Sequence, residues 1–275
     1  MQLKKNKNIL HMLVNVSEVK KNKIKKTSSK NYPLISVITV VLNNEKFIEE
    51  TILSVLNQSY KNIEYIIIDG GSTDKTIDII KKYESSIDIW ISEKDNGIYD
   101  AFNKGMRLAN GEMLGFVNSD DILYPEAIQI LVNYIKKSDV DFIFGSVKKH
   151  YALLSGYKPW KIKFSWGFYT SHSTGFFIKT NSAKKVGLYN LKYKYSSDYD
   201  YLYRMIVHCG MKGFGTKKNE IFGYFRRGGF SSKINFVEHL KEEIQIRKDN
   251  GQSTLILIFI IILKILFNIK RIIRK

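Results

Sequence analysis

The sequence predicts an α/β fold built around a doubly wound, mostly parallel sheet. Runs rich in β-branched residues, such as 35–41 and 63–68, indicate strands that are buried on both faces. Segments with the apolar spacing of helices separate these runs, and parallel strands need crossover connections of this kind. A chain of 275 residues suits a single domain with one well-buried core.

The order of the predicted elements supports this fold class. Polar residues that can cap a helix follow the first two strands, namely Asn43 or Asn44 after 35–41 and Ser72 or Thr73 after 63–68. The later elements continue the alternation of strand and helix. We expect a strand at 87–92, a helix at 98–109, a strand at 113–117, a helix that begins at Pro125 and a strand at 141–147.

The formal net charge of +18 is concentrated at the two ends of the chain. Residues 1–32 contain nine lysines and one acid, Glu18, and residues 264–275 contain five basic residues and no acid. The body between these ends is therefore only mildly basic. No aromatic RNA-binding motif accompanies the lysines, so we expect no nucleic-acid partner.

Several functional classes are excluded by what the sequence lacks. A single cysteine, Cys209, excludes an internal disulfide and favours a reducing compartment. The segment after the first strand, 41–45, contains no glycine, which excludes the dinucleotide-binding fingerprint of dehydrogenases. The Gly-Lys-Ser/Thr signature of phosphate-loop NTPases is also missing.

Acidic side chains cluster in the segments 65–74, 93–97 and 116–121, where apolar, strand-like runs end. In open α/β sheets, ligands bind in the crevice outside the carboxyl ends of the strands. Carboxylates alone would repel a diphosphate, so the cluster implies an intervening divalent cation, and Mg²⁺ and Mn²⁺ prefer oxygen ligands. The pattern predicts an enzyme that handles a charged, nucleotide-like substrate.

Six segments together resemble the inverting family 2 glycosyltransferases, which have the A-type, nucleotide-diphospho-sugar transferase fold. The segments are 35–43, 50–59, 68–74, 95–105, 115–121 and 197–200, in the order of the family. The resemblance implies a catalytic domain at 33–232. A basic N-terminal tail at 1–32 would precede it, and a C-terminal helical region at 233–275 would follow.

The resemblance also implies roles for individual residues. Asp198 is expected to be the catalytic base, and Asp120 and Asp121 are expected to hold Mn²⁺ or Mg²⁺. The expected contacts to the nucleotide-diphospho-sugar donor are Val41, Asn43, Asp69, Gly71, Ser72, Asp95, Asp100, Asn118, Ser119 and Arg227.

The chain departs from the family pattern at several positions. Asn118 replaces the first acid of the Asp-x-Asp motif, and Gly70 replaces the second of two adjacent aspartates in the nucleotide motif. Leu42 stands where relatives usually have an aromatic residue near the base. Ser197 precedes Asp198, where the family has a Glu-Asp-like pair.

The reaction implied by the resemblance is transfer of a hexose or N-acetylhexosamine from the donor to a hydroxyl of a glycan or lipid-linked acceptor. A base on the face opposite the leaving group gives inversion in one step. Such a reaction would serve surface polysaccharide synthesis. Because Asn118 replaces an acid, a noncatalytic nucleotide-sugar binding protein is the alternative.

Some of the acids also have purely structural interpretations. Asp74 would favour the dipole of a following helix from its first turn, and Asp121 would cap a turn. Asp200 would pair with Arg204 one helical turn later. The segment that begins at Asp95 would then be only a turn.

An aromatic stretch beyond residue 150 has two interpretations, as a cover for the sheet edge or as a platform for the acceptor. Its members are Tyr157, Trp160, Phe164, Trp166, Phe168 and Tyr169. His172 would either touch the acceptor or the diphosphate, or be a structural histidine. The segment 226–229, Arg-Arg-Gly-Gly, would contact the diphosphate or form a surface turn.

The segment 254–267 is nearly all apolar, is interrupted by Lys264, and precedes a basic end at 270–275. As a helix it would be about 21 Å long, short of the roughly 30 Å hydrocarbon core of a bilayer. We expect a peripheral anchor on the anionic inner face of the membrane, and hence a cytoplasmic location. The alternatives are a helix packed on the catalytic domain or on a dimer partner, and a short true span.

Overall fold

A computed structural model describes residues 20–21, 26–149, 151–164, 172–226 and 235–273. The helices of this part are α1 (Ile48–Leu56), α2 (Thr76–Lys82), α3 (Ile98–Leu108), α4 (Ala127–Ile135), α5 (Lys161–Phe164), α6 (Thr180–Val186), α7 (Ser197–Tyr203), α8 (Phe236–Asp249) and α9 (Thr254–Ile273). Short 3₁₀ turns lie at Glu84–Ser86 and Ser173–Gly175, and a π-helical turn at Arg204–His208 continues α7.

The strands belong to two sheets. They are β1 (Lys20–Lys21), β2 (Ile35–Val41), β3 (Ile63–Asp69), β4 (Ile89–Ser92), β5 (Met113–Phe116), β6 (Ile122–Leu123), β7 (Phe142–Phe144), β8 (Ser146–Lys149), β9 (Ala152–Leu154), β10 (Phe176–Lys179), β11 (Gly213–Gly215) and β12 (Ile221–Phe225). The larger sheet has the order β1-β4-β3-β2-β5-β10-β7-β11, and the smaller has the order β6-β12-β8-β9.

Four neighbouring strands of the large sheet, β4, β3, β2 and β5, are parallel. The register pairs Val41 with Asp69, and Asp69 with Ser92, so these strands end together at one edge. β10 runs antiparallel to both of its neighbours, β5 and β7. The architecture confirms the predicted α/β fold with a mostly parallel sheet.

The core lies on both faces of the large sheet, because neighbouring residues of each strand point to opposite sides. On β3, Ile66 and Ile68 face one apolar cluster, while Tyr65 and Ile67 face the other, and all seven residues of the strand are buried. Burial on both sides explains why the parallel strands are continuous apolar runs without polar alternation.

The predicted caps of the first two helices are wrong. α1 begins at Ile48 and α2 at Thr76, and neither has a side-chain cap. Asn43 instead adopts a left-handed backbone with φ of 48°, and its Oδ1 accepts a hydrogen bond from the Thr73 backbone N–H at 2.8 Å. The loop residues after β2 and β3 therefore hydrogen-bond to each other, which leaves them unable to cap their own helices.

The single strand predicted at 141–147 is also wrong, because Gly145 divides it between the two sheets. β7 ends at Phe144 in the large sheet, and β8 begins at Ser146 in the small one. A Cβ atom at Gly145 would overlap the ring of Phe222 on β12. Only glycine lets the two chain segments approach this closely.

The other predicted bounds differ from the structure by one or two residues. The strand expected from 87 begins at Ile89, because a 3₁₀ turn at Glu84–Ser86 precedes it. The helix expected from Pro125 begins at Ala127. The helix expected to end at 109 ends at Leu108.

The C-terminal part of the structure is a pair of helices, α8 and α9. Leu257, Ile260 and Lys264 of α9 are buried, and the Lys264 ammonium pairs with the Glu243 carboxylate of α8. Within the described ranges, no helix combines the length and the apolar character that crossing a bilayer requires.

Gly105 sets how closely α3 packs on β2, because a Cβ atom there would overlap the Ile38 side chain. We expect Gly105→Ala to lower the free energy of unfolding by about 1–3 kcal/mol, since Ile38 is fully buried and overpacking forces the backbone to shift. Denaturant titration of the full chain measures this effect. Lys81→Ala, on an exposed position of α2, is the control and should change stability by less than about 0.5 kcal/mol. Equal stability of Gly105→Ala and the control would show that α3 can move away without cost.

Candidate active site

Asp69 organises the loop between β3 and α2. It is fully buried at the end of β3, where its Oδ2 accepts hydrogen bonds from the Gly71 N–H at 3.1 Å, the Ser72 N–H at 3.0 Å and the Ser92 hydroxyl at 2.6 Å. Its Oδ1 accepts from the Ser72 hydroxyl at 2.5 Å. Four donors compensate the burial of this carboxylate, and they fix the loop that contains Gly71 in a left-handed conformation with φ of 84°.

The loop after β2 is joined to the same loop. The Gly70 N–H donates to the Val41 carbonyl at 2.8 Å, and the Asn43 N–H donates to the Ser72 hydroxyl at 2.8 Å. Leu42 lies between them with 59% of its surface exposed. The ends of β2 and β3 thus form one rigid wall with an exposed apolar side chain.

Asp95 leaves no room for a side chain at position 70, which is occupied by Gly70. A Cβ atom at Gly70 would lie 2.9 Å from Asp95 Oδ2 and 3.6 Å from the Leu42 Cβ atom. The second carboxylate that many relatives place at this position would meet Asp95 directly. The departure at Gly70 is therefore coupled to the position of Asp95 in this chain.

Lys104 of α3 pairs with the acids that follow β4, a role that was not predicted from the sequence. Its ammonium lies 2.8 Å from Glu93, pairs closely with Asp95 and lies 3.8 Å from Asp100. Burial would lower the pKa of Lys104, but its hydrogen bonds to Asp95 and Glu93 raise that pKa above the ordinary value. Burial also raises the pKa of Asp95, against the lowering effect of Lys104. The position of Lys104 one helical turn after Asp100 was the available sequence signal.

Asp121 is fully buried beyond the end of β5, and both of its oxygens have partners. Oδ2 accepts from the Thr174 hydroxyl at 2.7 Å and lies 3.3 Å from His172 Nδ1. Oδ1 accepts from the Arg226 N–H at 3.3 Å. The contacts of Asp121 hold the segments 172–174 and 226 against the strand end.

Asp120, the residue before Asp121, has no such side-chain partners for its carboxylate. Its side chain is half-buried, and no described side chain donates a hydrogen bond to its carboxylate. Burial raises the pKa of Asp120, and the neighbouring charge of Asp121 raises it further. A half-buried carboxylate without side-chain donors is electrostatically suited to a cation.

Asn118 supplies a second oxygen without a partner at this edge. Its Nδ2 donates to the Ser173 hydroxyl at 3.0 Å, while its Oδ1 is buried with no hydrogen-bond donor in the described part of the chain. Ser119 is nearly buried, and its hydroxyl accepts from Asn44 Nδ2 at 2.9 Å. Asn118 Oδ1 and the Asp120 carboxylate are therefore oxygens here that no described side chain contacts.

These oxygens fit Mg²⁺ or Mn²⁺, which take carboxylate and amide oxygens together with phosphate and water. The described residues contain no group of three or more His, Cys, Asp or Glu side chains placed to hold a metal. A cation here would need oxygens from a substrate diphosphate to complete its coordination.

Arg226 places a positive charge beside Asp120. Its guanidinium lies 4.3 Å from the centre of the Phe47 ring, and its Nε donates to the Asp120 carbonyl at 3.0 Å. A terminal nitrogen pairs with Glu50 at 2.7 Å. Arg227, the predicted donor contact, lies outside the described residues.

Asp198 lies in the first turn of α7. Its Oδ1 accepts from the Tyr199 N–H at 2.9 Å and from the Tyr99 hydroxyl at 3.2 Å. No described residue donates to its Oδ2. Burial raises the pKa of Asp198, whereas the Tyr199 and Tyr99 hydrogen bonds and the charges of His239 and His172 lower it. One oxygen is thus held in place while the other is free to accept a proton.

His172 contacts Asp121 and Phe225. Its Nδ1 lies 3.3 Å from Asp121 Oδ2, and its ring packs on Phe225 with centroids 4.0 Å apart. These contacts place His172 beside Asp121, one of the two predicted metal ligands.

The structural interpretation of Asp200 is supported by a direct contact. Asp200 pairs with the Arg204 Nε at 2.9 Å, one turn later, as expected. Asp200 also accepts a hydrogen bond from Asn250 Nδ2 at 2.9 Å. Asp74 lies two residues before α2, not in its first turn as expected, and accepts from the Thr76 N–H at 3.0 Å.

One described member of the aromatic stretch fits the interpretation as a cover for the sheet edge. Tyr157 packs against Phe142, with ring centroids 5.3 Å apart, and covers the sheet edge. Trp160 and Phe164 are exposed by 58% and 52%. The remaining aromatic residues of the stretch, Trp166, Phe168 and Tyr169, lie outside the described residues.

Known proteins resemble this chain in both sequence and fold. An uncharacterized glycosyltransferase of Haemophilus influenzae is 32% identical over 192 residues, covering 62% of this chain and 59% of the relative. The chondroitin synthase of Escherichia coli is 35% identical over 120 residues, covering 43% of this chain and 18% of the synthase. The chain spans about half to three fifths of the length of the first relatives that it matches.

Solved structures share the fold. S. aureus TarS 1–349 in complex with UDP-GlcNAc matches with a TM-score of 0.64 at 18% identity, covering 82% of this chain and 70% of TarS 1–349. The mannosyltransferase PcManGT of Pyrobaculum calidifontis, in complex with GDP-Man and Mn²⁺, gives 0.60 at 17% identity, covering 84% and 68%.

The family model described as Glycosyl transferase family 2 matches residues 36–219, which include β2, the acid-bearing strand ends and Asp198. The chain therefore belongs to the family 2 glycosyltransferases.

Proposed function

We propose that this protein transfers a hexose or N-acetylhexosamine from a nucleotide-diphospho-sugar to a hydroxyl of a glycan or lipid-linked acceptor, with inversion. The observation that carries the proposal is two carboxylates with oxygens that no described side chain contacts, Asp120 beyond the end of β5 and Asp198 in the first turn of α7. Asp120 has no side-chain donor, and Asp198 has one fixed oxygen and one free oxygen. Transfer to a hydroxyl needs these two functions, a place for the charged leaving group and a base for the acceptor.

The donor would lie along the ends of β2, β3, β4 and β5. We assign its base and ribose to the wall formed by Val41, Leu42, Asn43 and the Asp69 loop, which includes Gly71 and Ser72. Asp95 and Asp100, held by Lys104, would contact the ribose side. The complexes of TarS with UDP-GlcNAc and of PcManGT with GDP-Man support a nucleotide-sugar as the donor class.

The diphosphate would lie beside Asn118, Ser119 and Asp120. Asp120 and Asn118 Oδ1 would hold Mn²⁺ or Mg²⁺, with Asp121 as a further candidate, and the cation would neutralise the charge that develops on the leaving diphosphate. The Mn²⁺ in the PcManGT complex supports this choice of metal. Arg226 adds a fixed positive charge on the same side, and Arg227 remains a proposed diphosphate contact.

In the proposed step, Asp198 Oδ2 accepts the proton of the acceptor hydroxyl. The hydroxyl oxygen then forms a bond to the anomeric carbon from the face opposite the diphosphate, and the bond from that carbon to the diphosphate oxygen breaks. The products are the inverted glycoside, the nucleoside diphosphate and protonated Asp198. Burial prepares Asp198 for this task, because the raised pKa increases its affinity for a proton.

We further propose that the reaction takes place at the inner face of a membrane and contributes to surface polysaccharide synthesis. The matched chondroitin synthase of Escherichia coli supports a role in glycan synthesis. An apolar helix that ends in basic residues, 254–273, supports a peripheral position in the cytoplasm.

A panel of nucleotide-sugars tests the proposal. The purified full chain is incubated with each donor and with Mn²⁺ or Mg²⁺, and donor turnover and thermal protection are measured. NMR of the product formed with a suitable acceptor reports the anomeric configuration. Tight binding of a donor without transfer to any acceptor would support the alternative, a noncatalytic nucleotide-sugar binding protein.

Asp120→Asn should reduce transfer by at least about a hundredfold, because the amide removes the charge that holds the cation. Metal-dependent protection against thermal unfolding by the donor should also be lost. Asp139→Asn, at a carboxylate that is 97% exposed, is the control and should retain full activity. Full activity of the wild-type protein in excess chelator would contradict the metal assignment.

Asp198→Asn should retain donor affinity but lose about 10²–10⁴ in rate, since the base acts only in the transition state. Calorimetry measures the donor affinity and single-turnover kinetics measures the rate. The exposed Asp78→Asn on α2 provides the matched control. A parallel fall in affinity and rate would assign Asp198 to donor binding instead.

Tyr99→Phe should shift the acid limb of the kcat profile to higher pH. The Tyr99 hydroxyl stabilises the ionised form of Asp198, so its loss raises the pKa of Asp198 further, and the active form is lost earlier as the pH falls. We expect kcat to fall severalfold at the acid end and to recover at high pH. Tyr134→Phe removes a hydroxyl that contacts Glu220 and should leave the profile unchanged. An unchanged acid limb in Tyr99→Phe would remove this positioning role.

A further inference from the structure

The outward face of α9 is a continuous apolar stripe. Besides Phe267, six of its apolar residues are exposed, by between 41% and 79% of their surface, and they recur at spacings of three and four that put them on one side of the helix. They are Leu255, Ile258, Phe259, Ile262, Ile265 and Leu266. The helix is 20 residues, or about 30 Å, long, and it contains no acidic residue.

The inward face of α9 fixes the rotation of the helix. Leu257 and Ile260 are buried, and Lys264 pairs with Glu243, which also pairs with Arg247 at 3.1 Å. Lys264, which interrupts the apolar run in the sequence, therefore points into the protein. Breaking this buried network would cost more than an exposed ion pair, so the apolar side stays outward.

A second exposed apolar group lies beside the start of α9. The Lys163 carbonyl at the end of α5 accepts hydrogen bonds from Arg247 at 2.9 Å and from Gln252, two residues before α9. The exposed Trp160 and Phe164 flank this contact on the α5 side. Aromatic side chains of this kind are favoured where water meets the bilayer.

Basic residues are close in sequence to both groups. Segment 157–164 contains Lys158, Lys161 and Lys163 without an acid, and the sequence of the last turns of α9 includes Lys270 and Arg271. Two acids of the adjacent α8 have other partners: Glu242 accepts from the backbone of Lys194 and Tyr195, and Asp249 accepts from Tyr193 at 2.6 Å and pairs with Lys192 at 2.5 Å.

We propose that the outward face of α9, together with Trp160 and Phe164, is a docking surface for an anionic lipid bilayer, with α9 lying flat in the interface. This inference rests on the membrane location proposed above and assigns the surface responsible for it. A bilayer matches both properties of the surface, an apolar face and basic residues close to it in sequence. A second copy matches the charge poorly, because each chain has a net charge of +18 and like charges oppose association.

The α5 segment of the docking surface contacts α7, the helix that contains the proposed base Asp198. The Tyr199 hydroxyl of α7 donates to the Ile162 carbonyl of α5 at 2.7 Å, and the Arg247 guanidinium lies 5.0 Å from the centre of the Tyr199 ring. Asp198 precedes Tyr199 on the same helix. A lipid-linked acceptor held at the bilayer would therefore approach from the side of the site that contains the base.

Vesicle flotation of the full chain tests the docking surface without donor or acceptor, so its outcome is independent of transfer. The vesicles contain phosphatidylcholine alone or phosphatidylcholine with phosphatidylglycerol. The test variant combines Leu255→Ser, Phe259→Ser and Ile262→Ser, and Leu53→Ser on α1 is the control, since Leu53 is exposed by 38% outside this surface. Melting temperature verifies that each variant is folded, and turnover of a nucleotide-sugar is assayed separately.

We expect the wild-type protein and Leu53→Ser to float with anionic vesicles, and the triple variant to bind at least about tenfold less. Lys158→Glu with Lys163→Glu should weaken binding to anionic vesicles and leave the weak binding to neutral vesicles unchanged. The blue shift of tryptophan emission on adding vesicles should decrease in Trp160→Phe, which isolates Trp160 even if the triple variant fails to fold.

Equal flotation of a folded triple variant and the wild type would overturn the proposal. An unchanged emission shift in Trp160→Phe would remove Trp160 from the surface. A dimer in sedimentation that the triple variant abolishes, with flotation unaffected, would assign the face to a second copy and also overturn the proposal.

Discussion

The arrangement of the site depends on one electrostatic constraint, the burial of several carboxylates at a single edge of a parallel sheet. Each carboxylate taken from water needs donors or an opposite charge. Asp69 receives four hydrogen bonds from loop and strand residues, Asp95 receives the Lys104 ammonium, and Asp121 receives Thr174 and the backbone of residue 226. Asp120 is the carboxylate of this group that receives no side-chain donor. Because the other carboxylates have donors or an opposite charge, a bound cation would stabilise the structure most at Asp120.

The same constraint explains which site features the sequence could predict. Asp69, Asp120 and Asp198 were identified because strand ends and family motifs mark them directly. Tyr99 and Lys104 lie inside a motif that was recognised, yet their roles depend on which neighbours α3 brings close. Tyr99 contacts Asp198, ninety-nine positions later in the chain. A local pattern contains no information about a partner at that distance.

In the fold, too, features set by neighbouring residues could be predicted from the sequence, and features set by distant contacts could not. Strands β2 and β3 were predictable because burial on both faces demands uninterrupted apolar residues. The absence of helix caps at Asn43 and Ser72 was not predictable, because each side chain hydrogen-bonds to the other loop. The break at Gly145 depends on the ring of Phe222, which arrives from a strand far along the chain. Errors thus occur where a distant contact overrides a local preference.

The small sheet has a consequence for how the enzyme acquires its site. β12 pairs with β6 and with β8, and the backbone of Arg226 reaches Asp121 across 105 positions of sequence. Contacts of such separation require a large loss of chain entropy before they form, so they tend to arise late in folding. The diphosphate side of the crevice would then be completed after the nucleotide side, whose β2 and β3 are adjacent in sequence. During synthesis on the ribosome, the crevice would stay incomplete until the strand at Ile221–Phe225 has emerged and paired.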